Sequence, residues 1–445
     1  MTAREQPKEL FIVNFVRMKR DLFISKWAFL LVFMLSASIA HAQRPVCHTS
    51  EYTQQMMDQA PGFLQRYQAI EEEVARLMTE REQFRSQDED IYYIPVVVHI
   101  VYNVPAENIS DDQVLAQIEV LNEDFRRLNE DASETPSAFA DAAADAFIQF
   151  QLASIDPDGN TTTGITRTET EITSWNLFAP ITAENYAEKV KETATNGKDI
   201  WDRDCYLNIW VCDLGNSILG YASPPGTTAS KDGVVIGYKW FGRGGSAIPP
   251  YNQGRTTTHE VGHWLGLRHI WGDDGGNCSG SDGIADTPNQ GGENYDCPSY
   301  PLTDDCSPSI PGVMFMNYMD YVDDGCMNMF TQGQVNKMRS VLSGSRGEVL
   351  ACANLVVIDS QDIEPEVLVM YPNPATDQVF FPVDRINADN TVISLYNSLG
   401  QEVIRFNHDG SALASIDVSR LANGTYFIRA FDGIKTMNGK IVVSR

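Results

Sequence analysis

The sequence predicts a mixed α/β (α+β) domain with an irregular lower part stapled by disulfides, followed by a small all-β sandwich. Three observations carry this expectation. Between residues 91 and 269, β-forming runs alternate with helical patterns and end on a histidine-bearing helix. Beyond His269 the chain turns to Gly, Asp, Asn, Ser and Cys, the composition of irregular structure with little core of its own. From residue 371 onward, strand patterns are split by Asn/Gly turns, as in a small antiparallel sandwich.

The length of 445 residues allows two or three domains, and there is no internal repeat or low-complexity tract. Residues 17–42 read as a secretory signal. Arg17, Lys19, Arg20 and Lys26 lead into an apolar run (27–35) and the small-residue site Ala40-His41-Ala42. Cleavage is expected before Gln43, and Met18 can serve as the true start. The run is too short to span a bilayer, and no other stretch could. Residues 43–85 follow as a pro-segment, charged and helical over 51–84, with little to build a core from. Arg85 is exposed for cleavage just before the first strand.

That strand is residues 91–103 (IYYIPVVVHIVYN). Ser110-Asp111-Asp112 caps a helix with apolar positions Val114, Ile118, Leu121 and Phe125. Further strands are expected over 147–155, 207–212 and 234–238, the last as the edge strand that holds an extended substrate by main-chain hydrogen bonds. The 180s carry a helical pattern, 242–254 a Gly/Pro-rich loop bordering the cleft, and 331–342 a short amphipathic helix. The main domain is therefore expected over 86–353, a linker over 354–368 and the β-module over 369–445. A net charge of −27 argues against nucleic acid as a partner, since phosphate binding needs clustered Lys and Arg.

The chemistry lies in His259-Glu260-Val261-Gly262-His263-Trp264-Leu265-Gly266-Leu267-Arg268-His269. Histidines four apart on a helix share one face, so His259 and His263 can aim at one point. Glu260 lies about 100° round the helix, beside that point, where it can act as a base without becoming a ligand. Gly266 lets the helix stop and the chain turn, bringing His269 back as a third nitrogen. Three nitrogens plus water make an open, catalytic zinc site. The competing reading, a core helix with three histidines, requires a coincidence expected in roughly one chain in 10⁵.

Cys278, Cys297, Cys306 and Cys326 follow in the irregular part, and four cysteines permit three pairings. Cys205, Cys212 and Cys352 remain. Cys205 and Cys212 lie seven apart along an expected strand, face opposite sides and do not easily pair. Residues 282–287 (DGIADT) offer carboxylate, hydroxyl and carbonyl oxygens of the kind calcium takes, or alternatively plain Asx-turns. Asp323 and Asp324 could line a pocket for basic side chains or be solvated. An exported zinc enzyme must be kept inactive, and Cys47, in Arg44-Pro45-Val46-Cys47, offers a thiolate for the open zinc position. Its alternative is a disulfide.

The extended histidine motif and Met319-Asp320-Tyr321 within MNYMDY resemble the metzincin metallopeptidases. The text HEVGHWLGLRHIWGD, MNYMDY and CMNMFT resembles in particular the pappalysin family, its ulilysin-like branch, over most of residues 44–350. The resemblance implies a metzincin catalytic domain, Met319 as the Met-turn floor beneath the zinc, and Tyr321 as a stabiliser of the tetrahedral intermediate. It implies calcium near Asp282 and Thr287, disulfides Cys278–Cys306 and Cys297–Cys326, and Cys47 as a cysteine switch. The family's switch has a glycine after the cysteine; this chain has His48. In the last 75 or so residues, YPNPATD, LYNSLGQEV and LANGTYFIRA resemble the type A C-terminal sorting domain of the type IX secretion system. That implies export through the periplasm to the cell surface or beyond.

The expectation is thus a secreted zinc metalloendopeptidase acting on protein and peptide substrates, with Glu260 as general base on zinc-bound water. An inactive surface adhesin and a zinc hydrolase of a non-peptide amide are the rivals. Glu260 and Tyr321 count against the first, because zinc binding alone requires neither.

Overall fold

The computed structural model describes residues 44–60, 62–83, 90–175, 187–356, 370–382, 392–397, 402–408, 413–431 and 436–444. The expected signal region, Arg85, most of the helical pattern in the 180s and nearly all of the expected linker lie outside them. The chain forms two units, residues 1–355 and 356–445. No helix among the described residues is long and apolar enough to cross a membrane.

The first unit is built on a seven-stranded sheet. Its strands are β1 (Val46–Cys47), β2 (Tyr92–Tyr102), β3 (Ile148–Leu152), β4 (Ile165–Glu169), β5 (Leu207–Cys212), β6 (Ile218–Ala222) and β7 (Val234–Gly237). They run in the order β1-β6-β7-β5-β2-β3, with β4 also on β2. Only β6 and β7 pair antiparallel. The long β2 holds β3 and β4 in succession along one edge and β5 on the other. Its residues alternate between two cores, as a strand's side chains must. Ile94, Val96, Val98 and Ile100 face the main core with helix α3 (Asp111–Phe125), while Val97 and Val101 face the opposite side. Ser110 caps α3 by accepting the Gln113 N–H.

Two expectations are corrected here. Residues 234–238 are not the edge: β7 sits between β5 and β6, all four of its residues buried. The edge strand of the expected main domain is β6, which carries strand β1 of the expected pro-segment in parallel. Its short ILGYA text, interrupted by Gly220, gives no strong strand signal. The expected pro-segment forms two helices, α1 (Thr49–Gln59) and α2 (Phe63–Gln83), broken at Gly62 with φ +76°. It is not poor in core: Tyr52, Met56, Phe63 and Val74 are buried, the first three in a cluster with Trp210, Ile218 and Tyr221.

Beyond residue 270 the chain is mostly irregular up to α5 (Gln332–Ser343), which opens with a capping box on Thr331 and Gln334. Disulfides Cys278–Cys306 and Cys297–Cys326 lie in this part, and Cys205–Cys352 ties the end of the unit back to the start of β5. Cys47 and Cys212 are free and buried, so Cys47 is not in a disulfide.

The second unit is all β, with antiparallel sheets β10-β9-β12-β13 and β11-β8: β8 (Gln378–Pro382), β9 (Val392–Asn397), β10 (Glu402–Asn407), β11 (Leu413–Asp417), β12 (Gly424–Phe431) and β13 (Thr436–Val443). Asn373 of the YPNP text stitches onto the last strand: its Nδ2 donates to Lys440 O and its Oδ1 accepts the Val442 N–H.

The histidine-bearing helix α4 (Arg255–Trp264) is buried along its whole length. It ends where Gly266 takes φ +86° and the Leu267 N–H reaches back to Gly262 O at 3.0 Å. Arg346 fastens this end. Its Nε donates to Trp264 O at 2.9 Å, and its Nη1 donates to both Asp232 oxygens. Asp232 also accepts the Trp264 indole N–H. Both charged groups are 2% exposed. Arg346→Ala leaves the buried Asp232 carboxylate with only the Trp264 N–H and the more distant Arg203 at 3.5 Å, and is expected to cost about 3 kcal/mol of stability in urea unfolding. A loss under about 1 kcal/mol would show that the pair does not fasten the helix.

Candidate metal centre and catalytic cleft

Helix α4 places the His259 and His263 rings 4.6 Å apart, and the turn at Gly266 brings His269 to 4.5 Å from His263. The Nε2 of His263 lies 3.0 Å from that of His259 and 3.1 Å from that of His269. On the far side of each ring, Nδ1 faces an acceptor. These are Tyr318 O at 2.7 Å, Leu267 O at 2.9 Å and Asp273 Oδ1 at 2.7 Å. Those bonds put the proton on Nδ1, so three Nε2 lone pairs converge. Burial first, then repulsion from His269, push His259 down to about 3 and His263 well below its usual value. Neutral rings with converging lone pairs repel one another unless a cation lies between them. The donor set therefore fits a metal.

Cys47 belongs to the same group: its Sγ and the three imidazoles lie within 4.8 Å of one another, all buried. Burial and the Glu260 charge push this thiol well up, so a thiolate here also requires a cation. Glu260 is fully buried beside the histidines. Its Oε2 accepts the Thr49 hydroxyl at 2.7 Å, while its Oε1 has no partner among the described residues. Burial pushes its carboxyl up to about 7, against the hydrogen bonds of Thr49 and Cys47. Tyr321 donates its hydroxyl to Cys47 O at 3.1 Å, and its ring edges onto His269 at 4.9 Å. Met319 lies beneath α4, so close that a Cβ on Gly262 would come within 2.6 Å of its sulfur.

The family model described as pregnancy-associated plasma protein-A, of peptidase family M43, matches residues 191–343. An extracellular metalloprotease of Arthroderma benhamiae is 30% identical over 251 residues, 55% of this chain and 75% of that relative. The chain belongs to the pappalysin family of metallopeptidases. Among solved structures, mature mirolysin of Tannerella forsythia in complex with a cleaved peptide is 57% identical to this pappalysin, with a TM-score of 0.57 over 60% of this chain and 98% of its own. A promirolysin mutant from the same organism is 50% identical, with a TM-score of 0.62 over 70% of this chain and 99% of its own. Residues 369–444 match the secretion system C-terminal sorting domain. This pappalysin is a metalloendopeptidase with a type IX secretion sorting tail, and it is secreted.

The remaining sequence-derived candidates are placed as follows. Asp282 and Thr287 of the pappalysin come together, with the Thr287 hydroxyl 2.9 and 3.0 Å from the two carboxylate oxygens. Burial pushes Asp282 up to about 6. Asp323 and Asp324 separate. Asp323 is partly exposed, whereas Asp324 is buried in the cleft wall with Arg255, Thr256 and Tyr251. Asp324 Oδ2 accepts the N–H groups of Gln253 and Arg255, and its Oδ1 has no partner among the described residues.

Three features escaped sequence reasoning: Thr49, strand β6 and Asp273. Thr49 is a common residue type with no spacing signal. Asp273 could have been found, since it stands four residues after His269 as a short-range carboxylate partner. Burial works against its charge, yet bonding to and attraction from His269 hold its carboxyl below the usual range. It is the only side-chain acceptor among the three behind the histidines. Asp273→Asn is expected to weaken metal retention about 10- to 100-fold, read by chelator competition on the full chain. Unchanged retention would show that Asp273 does not set the orientation of His269.

Proposed function

We propose that the chain is a secreted zinc-dependent endopeptidase made as a latent precursor. Its parts are a signal peptide (1–42), a pro-segment (43–85), a catalytic domain (86–353), a linker (354–368) and a sorting domain (369–445). The observation that carries the reading is the convergence of three Nε2 lone pairs with the Glu260 carboxylate beside them. His259, His263 and His269 would hold zinc, and Cys47 would be a fourth donor in the latent chain. Zinc, when bound, supplies a Lewis acid that polarises the scissile carbonyl and makes water acidic near neutral pH.

The chain's own residues then divide the work. Glu260 takes the proton of the attacking water and hands it to the leaving amine, which its position beside the histidines allows. The Tyr321 hydroxyl, already a donor to a peptide carbonyl at Cys47, donates to the oxyanion. Gly220 O and the Ala222 N–H of β6 already bond the pro-segment at His48 N and Thr49 Oγ1, and offer an extended peptide its main-chain partners. Asp324, rather than Asp323, favours a basic substrate side chain, because its Oδ1 is unpaired in the cleft wall. Calcium would be held at Asp282 and Thr287, whose side chains meet on one oxygen-rich loop. The sorting domain would engage the type IX machinery after passage into the periplasm.

Glu260→Ala is expected to fold and keep its metal by mass spectrometry, yet lose about 10²–10⁴ of its turnover. Normal turnover with full metal would sink the mechanism. Latency should rest on more than the thiol, since Thr49 separately occupies Glu260. In an Arg85→Ala background, Cys47→Ala is expected to raise the activity of the intact chain, and Thr49→Val added to it to raise activity further. Equal silence from folded, intact proteins would assign latency to the bulk of the segment alone.

A further inference from the structure

Helix α2 carries one acidic side chain that touches two cations at once. Glu71 Oε2 lies 3.1 Å from Arg268 Nη2 and 3.2 Å from Lys337 Nζ. Lys337 is 4% exposed, on α5, and Arg268 immediately precedes the histidine His269. Among the described residues, Glu71 is the carboxylate that forms an ion pair with either cation. Asp282 and Asp273 attract them from farther away. Without Glu71, two cations would face each other, one of them buried, with no anion in contact. That is a costly arrangement unless a carboxylate returns.

The clamp sits within a wider footprint. Arg66 Nε donates to Gly226 O at 3.0 Å, Arg81 Nη2 donates to Ser343 Oγ at 2.6 Å, and Phe63 and Val74 are 0% and 1% exposed. At the other end of the segment, Tyr52 packs on Tyr221 at 5.2 Å. Cutting the chain between residues 83 and 90 removes none of these contacts. It turns a tethered segment into a separate ligand.

We propose that Arg268 and Lys337 form a carboxylate-binding site whose ligand is Glu71, and that through it residues 44–83 stay bound as a dissociable inhibitor after the chain is cut. The inference rests on the pro-segment reading above. Its consequence is that cleavage near Arg85 is not itself the activating event; dissociation or digestion of the segment is.

The test uses the full chain with a specific protease site placed at residues 84–89, in a Glu260→Ala background that prevents self-digestion. After cutting at micromolar concentration, the segment is expected to co-elute with the rest of the protein in gel filtration. Glu71→Gln is expected to raise its dissociation constant at least about 30-fold, whereas the exposed neighbour Glu72→Gln leaves it unchanged. Because Glu71→Gln could act by loosening the helix, Lys337→Met is measured alone and combined with it; a shared clamp makes the two effects clearly less than additive. Separate elution of the unsubstituted segment, equal binding by the Glu71 and Glu72 variants, or strict additivity would each overturn the site. With Glu260 intact, the cut and still-bound protein is expected to be silent on a peptide substrate until diluted. Full activity with the segment bound would overturn the inhibitor role and the pro-segment reading while leaving the carboxylate site standing.

Discussion

Three imidazole nitrogens aimed at one point repel one another, and the rest of the catalytic domain is arranged to hold them there. A helix alone aligns only two of them. The third arrives because Gly266 can take a positive φ and the chain can reverse within a few residues. Each ring is then fixed from behind. Two of the three acceptors are main-chain carbonyls, so their positions depend on the backbone around them. Tyr318 O is held where it is because the Tyr318 hydroxyl donates to the buried Asp124, which also accepts Thr258 of the histidine helix. Burial tends to protonate Asp124, and Arg255, Thr258 and Tyr318 oppose this. The same network therefore ties helix α3, helix α4 and the segment at Tyr318 into one support.

Close approach is the second constraint. The base and the floor of the site need room that a side chain would fill. A Cβ on Gly220 would lie 3.1 Å from Glu260 Cγ and 2.9 Å from Val235 O, and one on Gly262 would meet Met319. Strand β6, helix α4 and the segment at Met319 thus approach through two glycines rather than through interlocking side chains. The site is compact because of what these positions lack.

This explains which parts were legible in the sequence. The histidine motif could be read because its spacing is local: helix period, glycine stop and third histidine all fall within eleven residues. The short helix expected over 331–342, the strand at 207–212 and the β-rich tail were legible for the same reason. What failed was set by partners distant in sequence. Strand β6 has five buried residues, the middle one a glycine, and reads as neither an alternating nor a continuous strand; pairing with β7 and β1 places it. The expected pro-segment looked poor in core because Tyr52, Met56 and Phe63 find apolar partners far downstream on the sheet, Val101, Trp210, Ile218 and Tyr221 among them. Thr49 carries no signal at all, and its importance comes from Glu260, 211 positions away.

The polar groups of the cleft impose a final requirement on the segment that covers them. A buried donor or acceptor left unmatched costs about as much as the hydrogen bonds it forgoes, so a segment that merely covered the cleft would strand several at once. The pro-segment instead matches them singly. Thr49 Oγ1 both donates to Glu260 and accepts from Ala222 N, Cys47 O accepts from Tyr321, and Ser50 donates to Asp273 behind His269. Glu260, the Ala222 N–H and Tyr321 are the groups that a peptide and a water molecule would engage under the proposed mechanism. A segment that satisfies them one by one can lie in the cleft with the catalytic geometry intact. Under the proposed latency, departure of the segment would expose a site already assembled, and activation would require separation rather than refolding.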